Sequence, residues 1–77
     1  MSNQPFGTDI SITINGEESL VPSGLNIRNL IVHLKLDPER VAVELNRRLV
    51  RKGQWEETVV EAGAAVEIVT FVGGGAR

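Results

Sequence analysis

The chain has 77 residues, 42% of them hydrophobic, with no cysteine, one histidine and a formal charge of -2. That length makes one small domain, because domains of about 55–65 residues already fold alone. Disulfides, thiolate-held zinc and thiol nucleophiles are excluded, as is a multi-histidine metal site within one chain. The acidic balance argues against nucleic acid as a partner, since phosphate contacts need an excess of Lys and Arg. Apolar runs are a few residues long against the ~20 that span a bilayer, so no membrane partner is expected. Met1 to Pro5 lacks the charged-then-apolar order of a secretion signal, which makes the cytoplasm the expected compartment.

Residues 1–9 read as a flexible N-terminal arm, 10–72 as the folded domain and 73–77 as a flexible tail. Ile10-Ser11-Ile12-Thr13-Ile14 alternates with period two and predicts a strand with its isoleucines on the buried face. Asn15-Gly16 is a hairpin signal, because both residues tolerate the positive φ of a type I′ turn. Glu17 to Val21 is then the return strand, ended by Pro22. Asn26 is placed to cap a helix, with Leu25 and Leu30 spaced as a hydrophobic staple. Ile27, Leu30, Ile31 and Leu34 form the helical stripe, and His33 lies off it toward solvent. Asp37-Pro38 is expected to stop the helix, since proline disfavours helical geometry in the residue before it.

A second alternation, Val41 to Leu45, predicts a strand, followed by a turn at Asn46-Arg47-Arg48 and a short strand at Leu49-Val50. Arg51 to Gly63 reads as irregular, with Trp55 as a large apolar anchor. Ala65 to Val72, rich in β-branched residues, is the last strand. A hairpin, a helix and three further strands predict an α+β layer pair: a mixed sheet with one main helix across one face. That order matches the β-grasp arrangement of ubiquitin-like domains, which would put the first and last strands at the sheet centre.

Three features bear on chemistry. Gly73-Gly74-Gly75 cannot join a helix or strand without large entropic cost, and extended it reaches about 10 Å. It is either a frayed terminus or a slender carboxyl-terminal arm that enters another protein's active site. No phosphate-binding motif follows it. The basic run Arg47, Arg48, Arg51 and Lys52 is a solvated turn or a docking patch for an acidic partner. The carboxylates Glu17, Glu18, Glu56, Glu57 and Glu61 read as solvated surface, with no catalytic group assigned. If Val66 and Ile68 face the helix, Glu67, Val69 and Phe71 point the other way. Val69 and Phe71 then form an apolar patch beside the glycine tail, either covered by the N-terminal arm or Trp55, or exposed for a partner.

The stretch Leu36-Asp37-Pro38-Glu39-Arg40-Val41-Ala42-Val43-Glu44-Leu45-Asn46 resembles the centre of the ThiS family, the sulfur carriers of thiamine thiazole biosynthesis. The end, Ala64-Ala65-Val66-Glu67-Ile68-Val69-Thr70-Phe71-Val72-Gly73-Gly74-Gly75, resembles the same family, as do Ile14-Asn15-Gly16-Glu17 and Val21-Pro22-Ser23-Gly24-Leu25. The resemblance spans Ile10 to Gly75. It implies a non-enzymatic carrier whose terminal glycine is activated by a ThiF-like adenylyltransferase using ATP. It further implies sulfur supplied by way of a cysteine desulfurase and a thiocarboxylate that delivers it to a ThiG-like thiazole synthase. On that resemblance Gly75 is the acyl carrier, Gly73 and Gly74 its lead-in, and no metal or bound cofactor is expected. Two other readings stay open: a MoaD-like carrier for molybdopterin synthesis, and a ubiquitin-like protein modifier.

The sequence departs from that pattern at Ala76-Arg77, which follow the glycine expected to end the chain. Trimming after Gly75 is one expectation; residues foreign to the native chain, or an inactive copy, are the others. The N-terminal arm is longer than the family's usual start and has no assigned role.

Overall fold

The computed structural model describes residues 8–71. Five strands form one mixed sheet: β1 (Asp9–Ile14), β2 (Glu17–Pro22), β3 (Val41–Leu45), β4 (Arg48–Val50) and β5 (Ala65–Thr70), in the spatial order β2-β1-β5-β3-β4. One helix, α1 (Ile27–His33), crosses one face. β5 sits at the centre, parallel to β1 and antiparallel to β3. The arrangement expected from element order is therefore the one observed.

The hairpin follows its pattern. Asn15 and Gly16 hold φ of 52° and 86°, the left-handed pair that a type I′ turn needs. Register then sets Ile10 opposite Val21 and Ile12 opposite Ser19 on the inner face, and Ser11 opposite Leu20 on the outer. Asp9 already pairs with Pro22, and Thr8 accepts a bond from the Ser23 N–H, so the sheet starts one residue before Ile10. Pro22 ends β2 on an outer edge of the sheet, where its missing N–H disturbs no ladder.

The helix start matches expectation, and its end does not. Asn26 Oδ1 accepts from the Asn29 N–H at 2.7 Å, closing the N-cap. The free Ile27 N–H donates to the Thr58 carbonyl at 2.9 Å. The helix stops at His33, well before Asp37-Pro38. Lys35 turns left-handed at φ 63°, its N–H bonds the Val32 carbonyl, and the Leu36 N–H bonds the Ile31 carbonyl. These two bonds make a Schellman cap built on lysine, which satisfies the last carbonyls without proline. Asp37-Pro38 opens a 3₁₀ turn, Pro38–Arg40, with the Asp37 carboxylate capping the Glu39 N–H at 2.9 Å.

Between β4 and β5 the chain forms a second 3₁₀ segment, Lys52–Glu57, rather than an irregular loop. It delivers Trp55 into the core at 1% exposure, with Nε1 donating to the Val50 carbonyl at 2.9 Å. Burying the largest side chain of the domain is tolerable because its one polar atom is bonded. The core lies between α1, Trp55 and the inner sheet face, where Ile12, Val43 and Val66 are buried beneath Leu30 and Ile31. β4, at the other edge, is three residues long and begins with an exposed Arg48, features that discourage edge-to-edge association.

Candidate functional site

The site is the outer face of the sheet near the end of β5. Along β5, Val66 and Ile68 are buried, whereas Glu67 and Val69 are exposed on the opposite face. Val69 is 58% exposed and Phe71 51%, so neither is covered by another described residue. Trp55, one of the two groups expected as a cover, is instead committed to the core. The other, the N-terminal segment, lies outside the described residues. β5 ends at Thr70 rather than Val72; the Phe71 N–H still bonds the Arg40 carbonyl at 2.7 Å, which ties the last described residue to the end of the 3₁₀ turn just before β3. Val72 and the calls on Gly73, Gly74 and Gly75 lie outside the described residues.

Two turn asparagines brace the strand that leads to the glycines. Asn15 donates its backbone N–H to the Val66 carbonyl at 2.8 Å. Its side-chain amide takes both polar groups of Ile68, accepting from the N–H at 2.7 Å and donating to the carbonyl at 3.1 Å. Asn46 acts from the other side: its N–H donates to the Ala65 carbonyl at 2.7 Å and its Oδ1 accepts from the Ala65 N–H at 2.9 Å. β1 pairs with β5 only at Ala65 and Val66, so the Asn15 amide continues the ladder after β1 has turned away. Sequence reading found both asparagines as turn residues. Their hold on β5, 53 residues from Asn15 to Ile68, depends on tertiary pairing.

The outer face beside Val69 has a defined chemistry. Register places Ala42 opposite Val69, and Glu44 opposite both Glu67 on β5 and Leu49 on β4. A shallow concavity of about 490 Å³ is lined by Ala42, Val43, Glu44, Arg47, Leu49, Glu67 and Val69. Leu49 is 63% exposed. The face therefore sets two glutamates on neighbouring strands among Ala42, Leu49, Val69 and Arg47. Neither glutamate stands out in the sequence, where they are 23 residues apart; strand register alone brings them together.

The basic run does not converge on one point. Lys52 pairs with Glu39 at 2.9 Å and lies 5.9 Å from the Trp55 ring centre, while Arg47 borders the concavity. Of the acidic residues, Glu18 accepts from the Ser11 hydroxyl at 2.8 Å and Glu56 meets Arg28 at 3.9 Å, both at the surface. His33 is exposed at the helix end. Among the described residues, no three or more His, Asp or Glu come together as a metal site, and no helix is long and apolar enough to cross a membrane.

The five-stranded sheet with one helix across one face, its outer face uncovered among the described residues, defines the β-grasp class of small domains. Within that class the chain belongs to the ThiS family, which matches residues 6–75. The crystal structure of the thiamine biosynthesis protein ThiS from Geobacter metallireducens superposes with a TM-score of 0.75 at 38% identity, covering 86% of this chain and 100% of that one. An uncharacterized protein, ycf40, from Porphyra purpurea is 37% identical over 67 residues, 87% of this chain and 94% of its own length. A thiazole synthase from Paramagnetospirillum magneticum is 36% identical over 66 residues, 86% of this chain. The match spans only 20% of that synthase, and likewise 20% of one from Magnetococcus marinus. The protein is thus a member of the ThiS family with a β-grasp fold, as the resemblance in its sequence implied.

Proposed function

We propose that this protein carries sulfur as a thiocarboxylate on Gly75 and delivers it for thiazole formation in thiamine biosynthesis. A carboxylate is a poor electrophile, because its charge is delocalised and its leaving group would be oxide. Attack of the Gly75 carboxylate on the α-phosphorus of ATP, within a ThiF-like adenylyltransferase, releases pyrophosphate and forms an acyl-adenylate. Sulfide, or a persulfide drawn by way of a cysteine desulfurase, then adds to that carbonyl carbon and expels AMP; the acyl disulfide that a persulfide leaves is cleaved by a thiol, which is oxidised to a disulfide as the thiocarboxylate is released. The thiocarboxylate transfers its sulfur to the substrate of a ThiG-like thiazole synthase. ATP is consumed by the activating partner; the carrier holds no cofactor and acts as co-substrate. Glycine suits the role because the absent Cβ leaves the carbonyl open to attack and the arm thin.

The observation that carries this reading is that the family match runs to Gly75 itself. The thiazole synthases and the thiamine biosynthesis protein among the relatives favour the thiazole branch over a MoaD-like one. Val69 and Phe71, exposed at the end of β5, are the docking contacts that bring the tail to a partner. The Gly75 carboxylate becomes available when Ala76-Arg77 are removed, so the active form ends at Gly75.

A chain ending at Gly75, incubated with the adenylyltransferase of the same genome, ATP and sulfide, is expected to gain the mass of one oxygen exchanged for sulfur. The chain with Ala76-Arg77 intact is expected to gain nothing. No gain in the trimmed chain, or isopeptide adducts to lysines in cells, overturns the carrier reading. Deletion of the gene is expected to create a requirement for thiazole; a requirement for molybdenum-enzyme products instead assigns the other branch.

A further inference from the structure

We propose that Asn15 is a positioning residue for sulfur loading: its carboxamide holds the end of β5 in the sheet and so keeps Val69 and Phe71 in place for docking. The proposal rests on the docking and carrier roles given above to Val69, Phe71 and Gly75, and names the residue that orders them.

Strand parity shows what the side chain is for. The Ala64 and Val66 carbonyls accept from the Thr13 and Asn15 N–H groups, so even positions of this stretch turn their peptide groups toward β1. Odd positions turn theirs the other way: the Ala65 carbonyl accepts from the Asn46 N–H, and the Phe71 N–H donates to the Arg40 carbonyl. Ile68 is the next even position, and β1 has already ended at Ile14. At 7% exposure, the Ile68 N–H and C=O would be costly to leave unpaired. The Asn15 carboxamide supplies one acceptor and one donor to them, the same pair that a further strand residue would offer.

The turn by itself does not call for asparagine. A left-handed φ of 52° followed by Gly16 is open to glycine and aspartate as well. Glycine would leave Ile68 without a partner. An ionised aspartate would accept from the Ile68 N–H but set a second acceptor against its carbonyl. Of the three, only asparagine serves both the turn and the strand.

Beyond Ile68 the strand is held from one side. Thr70 pairs with Val41 and the Phe71 N–H reaches the Arg40 carbonyl, both on the β3 flank. Among the described residues, the Asn15 amide is the last group to grip β5 from the β1 flank. A segment bonded along one edge opens locally more readily than one bonded along both. Opening back to Ile68 would release Val69 and Phe71, and docking would then have to order them again. Once they are seated the arm is as in the wild type, so the loss falls on binding and not on the chemical step.

The test compares Asn15→Gly and Asn15→Asp, which both keep the turn, with Asn26→Ala, which removes the cap of α1. Amide exchange is read by NMR on the full chain. Exchange at Phe71 is expected to quicken roughly ten-fold or more beyond the global change in both Asn15 variants, and to follow global stability alone in Asn26→Ala. Sulfur loading of the forms ending at Gly75 is followed with the adenylyltransferase, ATP and sulfide, at a temperature where every variant is folded. KM for the carrier is expected to rise roughly ten-fold in both Asn15 variants with kcat nearly unchanged, and to stay level in Asn26→Ala. An equal rise in Asn26→Ala makes the effect global and overturns the proposal. Unchanged KM in the Asn15 variants overturns it too, whatever the exchange rates, as does unchanged exchange at Phe71. In each of these cases normal loading of the wild-type form leaves the carrier reading standing. No sulfur gain by the wild-type form overturns that reading, and this proposal with it.

Discussion

The two faces of the sheet are made from the same strands and answer to different demands. On the inner face Ile12, Val43 and Val66 are shielded by α1 and Trp55, with Val66 fully buried. On the outer face the alternate residues of those strands, Ser11, Glu44, Glu67 and Val69, have no layer above them among the described residues. An antiparallel or mixed sheet needs only one covered face to be stable. The second face is therefore free to vary in chemistry at little cost in folding. What the comparison teaches is that β5 divides by parity: Val66 and Ile68 hold the fold together, while Glu67 and Val69 stand on the open face.

The sharpest way to break this division is to remove its inner support. Trp55→Ala leaves a cavity beneath α1 and is expected to cost about 3–5 kcal/mol, enough to unfold much of a domain this small. Urea denaturation monitored by circular dichroism measures it. A loss below about 1 kcal/mol would show that the helix layer does not depend on that side chain.

A smaller effect tests what lies between the faces. Asn15→Gly keeps the left-handed backbone of the turn and deletes the amide that clamps Ile68. Two lost bonds to a part-buried strand are expected to cost roughly 1–3 kcal/mol. Amide exchange at Ile68 is expected to quicken more than at Ile12, because the brace is local to β5. Equal acceleration at both sites would mean that the asparagine supports the whole fold rather than the strand approaching the glycines.

The least effect on stability is expected on the outer face. Val69→Ser removes an exposed side chain with no core contact and is expected to change stability by less than about 0.5 kcal/mol. In the same variant, transfer of sulfur from the carrier is expected to slow at limiting carrier concentration, because docking and not folding has been impaired. A variant that loses stability in proportion to transfer would erase the distinction between the faces.

Much of the fold was legible because its signals are local. The isoleucine alternation of β1, the Asn15-Gly16 turn, the Asn26 cap and the parity of β5 each depend on neighbours a few residues away. The helix end was misplaced because proline is a conspicuous stop. Lys35, which adopts the left-handed conformation here, gives no such warning: glycine would have marked the cap. Trp55 was read as an anchor without a direction, and only the 3₁₀ segment around it points it into the core.

By itself the sequence determined the class of domain, the exclusion of thiol and multi-histidine chemistry, and the glycine triplet that makes a carrier reading possible. Periodicity and composition are properties of adjacent residues, so they survive without a structure. The tertiary structure decided which residues share a surface. Asn15 reaches Ile68, and Glu44 confronts Glu67 beside Val69, because strand order and register join segments that the chain keeps apart. Those contacts are set by sheet pairing, a non-local choice that no short stretch of this sequence encodes.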